Sequence, residues 1–97
     1  MDYEWDPVKS RTNIAKHGIG FERAKHIFDG FTLSFEDKRH DYGERRMISI
    51  GLLEAVAIVT VVHTDRSGRR RIISARPASK REKRDYERAL PPGTDSR

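Results

Sequence analysis

The sequence predicts an α+β domain: two N-terminal helices packed on a four-stranded, mostly antiparallel sheet, then a C-terminal helix. Three observations carry this. Helix punctuation fills the first thirty residues, period-two alternation runs from 31 to 76 around one continuous β-branched segment, and an S-x-x-E capping box opens the last periodic stretch.

Taken in order, "WDPVKSRTNIAKHG" is the first helix. Asp6 is the N-cap, Pro7 occupies the first helical position, and Gly18 ends the helix in a left-handed turn. Its apolar stripe is thin, with Val8, Ala15 and Trp5 as candidates for burial. "FERAKHIF" is a second short helix whose Phe21, Ala24, Ile27 and Phe28 share one face. "FTLSFED" alternates as a half-buried strand, and "RMISIGL" alternates again beyond a polar turn. "AVAIVTVVH" is apolar on both faces and belongs in the centre of the sheet. The Ser67-Gly68 turn folds it back into "RRIISAR", which Pro77 ends. Ser79 and Glu82 then cap "KREKRDYERAL", a helix with Tyr86, Ala89 and Leu90 as its only apolar edge. Residues 1–90 form one domain, and 91–97, "PPGTDSR", are expected to be a disordered tail.

Ninety-seven residues support one modest core. There is no cysteine, which excludes disulfides and thiolate zinc sites. The longest apolar run is too short to span a bilayer, and the acidic start "MDYEWDP" lacks the regions of a signal peptide. A cytoplasmic protein without membrane partners is the expectation. The net charge of +5 is unevenly placed. Between His63 and Arg88 ten Lys/Arg face four acids, so this stretch carries more than the whole excess. A basic face on an otherwise neutral domain fits nucleic acid, because phosphate contacts dominate such binding. A solvated helix with interleaved charges has the same composition.

The chemistry that suits such a face is metal-independent RNA cleavage. It needs a base for the 2′-hydroxyl, an acid for the leaving oxygen, and cations for the phosphorane. His63 is the titratable candidate, set at the end of the long strand beside the returning arginines. Arg66, Arg71 and Arg76 are candidates for a phosphate clamp with planar, bidentate donors. Arg71 and Arg76 are an odd number of residues apart, so an ideal strand sends them to opposite faces. They share a site only if a bulge intervenes or Arg76 has already left the strand. Lys80, Arg81 and Arg84 on the last helix are candidate RNA contacts, and Tyr86 a candidate for stacking on a base. Lys80 and Arg81 oppose the helix dipole, a misfit that a bound anion relieves. The structural alternatives are a capping role for His63, ion pairs of Arg71 with Asp65 or Glu44, packing of Arg76 over Tyr86, and core packing of Tyr86. His17, His26 and His40 have no metal-ligand spacing, and neither a nucleophile elbow nor a glycine-rich phosphate loop is present. No cofactor is expected.

"EWDPVKSRTNIAKHGIGFERAKHIFDG", "RRMISIGL" and "RRRIISARPASKREKRDYE" together resemble the BrnT family of bacterial toxins over residues 4 to 88. The resemblance implies a RelE-like fold and a ribonuclease toxin of a type II toxin–antitoxin pair. It also implies a BrnA-like antitoxin that blocks the toxin and reaches operator DNA through its own DNA-binding part. Arg71, Arg76 and Glu82 stand where the family has like residues, and Thr64-Asp65-Arg66 matches its Thr-x-Arg turn. The sequence departs from the family at His63, where a Tyr is expected, and at Pro77, where a basic residue is common. His63 is then a substituted aromatic, and catalysis rests on phosphate stabilisation by arginine and lysine.

Two other readings stay open on sequence. A basic module that holds RNA or DNA without cutting it would show salt-sensitive affinity and no product. A module whose basic helix docks an acidic protein would show negligible RNA affinity.

Overall fold

The computed structural model describes residues 1–93; the tail expected at 91–97 falls mostly outside them, and Pro91–Gly93 are exposed. The strands are β1 (Asp2–Glu4), β2 (Thr32–Glu36), β3 (Met47–Leu53), β4 (Ala57–Arg66) and β5 (Arg69–Pro77). The helices are α1 (Pro7–His17), α2 (Phe21–Ala24) and α3 (Lys80–Ala89). One sheet has the order β1-β5-β4-β3-β2. The class is as expected, with a correction in strand count. The acidic Asp2–Glu4 adds a fifth strand, parallel to Arg69–Arg71, while the other pairings are antiparallel. Three residues with one aromatic carry no alternation, so only the open edge of β5 makes them a strand.

Punctuation behaves as the residues dictate. The Asp6 carboxylate accepts from the Val8 N–H at 2.9 Å, and Gly18 closes α1 at φ 75°. Of the stripe expected on α1 only Trp5, ahead of the helix, packs against the core, while Val8 and Ala15 are exposed. A polar residue holds the helix instead. β1 covers β5 only as far as Arg71, which leaves the backbone at Ala75 without a neighbouring strand. Asn13, buried on α1, fills that gap. Its Nδ2 donates to the carbonyls of Ala75 and Ile19, both at 2.7 Å, and its Oδ1 accepts from the Ala75 N–H at 3.3 Å. A primary amide thus replaces one residue of a strand.

The second expected helix is one α-turn followed by a 3₁₀ stretch, Lys25–Asp29, which still buries Phe21, Ala24 and Ile27. They pack with Val59, Val61, Ile72 and Ala75 on the face of the sheet that carries α1 and α2, called here the helix-pair face. On the opposite face, α3 lays Tyr86 against Ile50 and Ala78. That smaller cluster covers one end of the sheet. Beyond it, towards the β4–β5 turn, the second face is open.

β5 carries a bulge. Val62 pairs with Ser74 but His63 pairs with Ile72, so Ile73 is the extra residue. Ile72 and Ala75 therefore both enter the helix-pair core although three residues apart. The residues beside them, Arg71 and Arg76, both turn to the open face. The Ser67-Gly68 turn, with φ 52° and 77°, has the two left-handed residues of a tight hairpin, and Asp65–Arg70 and Arg66–Arg69 pair on either side of it.

Candidate nucleic-acid interface

The open face is built in rows across the sheet. Arg46, Thr64 and Arg71 form one row, and Phe35, Ile48, Val62 and Ser74 the next. Thr60 and Arg76 lie in the third, where α3 begins to cover the sheet. The middle row is an apolar floor with Ile48 at 7 % exposure, and guanidinium groups stand around it.

Two of those guanidiniums are braced by carboxylates. Arg76 donates Nη1 to Glu82 Oε1 at 2.7 Å and Nη2 to Oε2 at 2.9 Å. Glu82 comes from the first turn of α3, where it also accepts from the Ser79 N–H at 2.8 Å and from the buried Thr60 hydroxyl at 3.1 Å. One carboxylate closes the capping box, ties α3 to β4 and orients Arg76. The Arg76 contact, with the Ser79 and Thr60 bonds, draws the Glu82 pKa down to about 2 against burial.

The second braced arginine is Arg39, in the β2–β3 connection. Its Nε and Nη2 each donate to Asp37 at 2.8 Å, and the Tyr42 hydroxyl donates to the same carboxylate at 3.0 Å. Asp37 continues β2 opposite Arg46 and is buried, with Arg39 holding its carboxyl far below the ordinary range. Arg46 lies over the Tyr42 ring, 4.1 Å from its centroid. Glu82 raises the Arg76 pKa most strongly, while the charge of Arg39 acts on it in the opposite sense. Each guanidinium is held by its own carboxylate before an anion arrives, which is the condition for electrostatic stabilisation of one.

The other expected residues divide. Arg71 lies on the open face and leans on Glu4 at 3.4 Å, rather than on Asp65 or Glu44. Arg66 is exposed at the end of the hairpin, its Nε 3.9 Å from Glu44. Lys80, Arg81 and Arg84 are exposed on α3 and enter no ion pair among the described residues.

Two assignments are corrected by their placement. His63 points to the helix-pair face, is 2 % exposed, and packs edge-on against Phe28. Desolvation pushes its pKa down, which keeps it neutral. Nδ1–H then donates to Asp65 at 2.9 Å, and Nε2 accepts from the Ser49 hydroxyl at 2.7 Å, which in turn meets Ser34 at 2.7 Å. Its ring nitrogens are spoken for and the sheet separates it from Arg71 and Arg76, so it does not reach a phosphate held there. Tyr86 is 5 % exposed, packs on Phe31 and donates its hydroxyl to the Phe31 carbonyl at 3.3 Å. It packs as a core residue.

Asp37, Arg39 and Arg46 also border this face, and the sequence does not single them out. "EDKRHDYGERR" shows only that charges crowd a turn. Strand pairing across the sheet sets Asp37 on the same face as Arg76. Among the described residues no group of three His, Asp or Glu is placed to hold a metal ion, and no helix is long and apolar enough to cross a membrane.

The family model for the ribonuclease toxin BrnT of type II toxin–antitoxin systems matches residues 5–82. The chain belongs to the BrnT family. The fold is similar to that of the Brucella abortus ribonuclease toxin BrnT, known from a 1.1 Å crystal structure, with a TM-score of 0.66 and 29 % identity over 82 % of this chain and 99 % of that one. No curated protein sequence matches the chain. The BrnT match runs from Trp5, just before the cap of α1, to Glu82, the brace of Arg76. It thus includes both braced arginines.

The same braces make acid stability a readout of the site. Glu82 is held below its ordinary value of 4.5, so its contribution is fully present above that pH and is lost as pH falls towards about 2. The expected result is a thermal midpoint that declines through this window, and a shallower decline in Glu82→Gln, which has no proton to bind there. A wild-type curve parallel to that of Glu82→Gln would show that the brace does not persist in solution.

Proposed function

We propose that this BrnT-family chain cleaves RNA on the open sheet face without a metal ion, and that a BrnA-like antitoxin silences it by covering that face, including Arg71 and Lys80. The observation that supports this reading is the pair of carboxylate-braced guanidiniums, Arg76 on Glu82 and Arg39 on Asp37, on the face that carries the floor row. A protein that only needed solubility would gain nothing from fixing two guanidiniums with carboxylates on one sheet face.

In the proposed reaction the 2′-oxygen attacks the adjacent phosphorus, the bond from phosphorus to the 5′-oxygen breaks, and a 2′,3′-cyclic phosphate and a 5′-hydroxyl result. Arg76, with Arg39 and Arg71 around it, binds the phosphate and neutralises the charge that grows on its oxygens. Guanidiniums stay protonated at working pH, so they act by electrostatics. The proton leaves the 2′-oxygen to water and returns to the 5′-oxygen from water, because His63 is shut on the other face. Arg66, Lys80, Arg81 and Arg84 extend the positive field along the strand and give the affinity its salt dependence. Action in the cytoplasm, with operator DNA contacted through the antitoxin alone, completes the reading.

The test is incubation of antitoxin-free protein with total RNA in the presence of EDTA. Fragments ending in 2′,3′-cyclic phosphate are expected. RNA that is bound tightly but left intact, on ribosomes as well, would replace the enzyme with a binding module.

A further inference from the structure

With Tyr86 in the core and the Tyr42 ring under the Arg46 guanidinium, Phe35 is the further aromatic ring that the strands of the open face present. Phe35 lies on the edge strand β2, in the floor row with Ile48 and Val62, and is 43 % exposed. It has no aromatic partner among the described residues. An exposed phenylalanine on a free sheet edge invites aggregation, and edges are ordinarily blunted with charge instead. Its position is specific. Phe35 is two residues before Asp37, the brace of Arg39, and across the sheet its row ends at Ser74, two residues before Arg76. Three strand spacings separate Phe35 from Ser74, roughly 14 Å at about 4.8 Å each. A short single strand whose phosphate lies among the arginines bridges that distance and brings a base over β2.

We propose that Phe35 is the base-stacking platform of this face, and that the ligand it takes is an unpaired nucleobase of single-stranded RNA. Stacking uses the ring face and no hydrogen-bond code, so the platform accepts any base and favours purines through their larger area. It also selects against duplex, whose bases are already stacked. Arg39, anchored by Asp37 one row away, meets the phosphate beside that base. This assignment rests on the reading of the open face as an RNA site and adds to it a base subsite, which the arginines alone do not provide.

The test uses an unstructured oligonucleotide with 2′-O-methyl groups, which binds but cannot be cut, carrying 2-aminopurine at successive positions. With wild-type protein one position is expected to lose fluorescence on binding. Phe35→Ala is expected to restore that signal and weaken affinity about tenfold, whereas Phe35→Trp keeps both. An abasic residue at the same position should cost the wild type a similar factor and cost Phe35→Ala almost nothing. Because Phe35 is a partly exposed edge residue, its replacement leaves the buried core intact, and an unchanged unfolding midpoint verifies this. Equal affinity and equal quenching in wild type and Phe35→Ala, with RNA still cleaved, would overturn the platform and leave the proposed function standing. Loss of antitoxin affinity with RNA binding unchanged would overturn it too, by making Phe35 a protein contact. Absence of any RNA binding or cleavage by wild type would overturn both.

Discussion

Arg76→Ala is expected to lower RNA cleavage by about 10²–10³-fold, the usual effect of removing one well-aimed donor from a developing anion, and to abolish growth inhibition. The side chain is fixed before substrate arrives by two bonds to Glu82, so it pays no ordering cost at the moment of reaction. Arg76→Lys is expected to recover only part of the rate. An ammonium is a point charge and cannot span both Glu82 oxygens while presenting a flat edge to phosphate. The fold should survive either change. Glu82 keeps its bonds from the Ser79 N–H and the Thr60 hydroxyl, so α3 stays docked. Rates are to be compared on the same RNA, with circular dichroism to verify the fold. A folded Arg76→Ala protein that cleaves at the wild-type rate would remove Arg76 from the site. Glu82→Gln is a useful companion, because it keeps α3 capped while freeing the guanidinium.

Asn13→Ala should be the most destabilising polar substitution in the molecule, costing about 3 kcal/mol from orphaned buried backbone groups. Asn13 gives up three bonds, and two of the backbone groups left behind belong to Ala75, which is itself fully buried. α1 has little to compensate with, because Val8 and Ile14 face solvent. Asn13→Asp should be no milder: a carboxylate keeps the shape but sets oxygen against the two carbonyls that the amide served. Urea denaturation measures both. The expected result is a large drop in midpoint, with amide exchange quickened first at Ala75. A loss below 1 kcal/mol would mean that α1 is held by its apolar contacts after all.

Much of the architecture was legible in the residues because local rules are strong there. Asp6-Pro7 and Gly18 bound α1, Ser79-x-x-Glu82 opened α3, and Ser67-Gly68 turned the hairpin, each through chemistry confined to a few neighbours. The α1 stripe failed for the opposite reason. Its residues looked weakly amphipathic, and the anchor proved to be an asparagine whose partner is 62 positions away. Asp2–Glu4 was illegible as a strand because three residues have no periodicity of their own.

The candidate site divides along the same line. By itself the sequence determined that the chain folds as α+β with a basic half, that Arg71 and Arg76 border an apolar pair, and, through its motifs, that it resembles the BrnT toxins. It could not determine which side of the sheet each arginine faces, because one extra residue in a strand reverses everything beyond it. The bulge at Ile73 decided that, and set Arg71 and Arg76 on one face. Strand pairing decided the rest: it set Asp37 on the same face as Arg76, left Phe35 exposed there, and put His63 on the other side. Residue type dictates what a side chain can do, but a flat sheet has two sides. Which chemistry meets which is settled only when the register is.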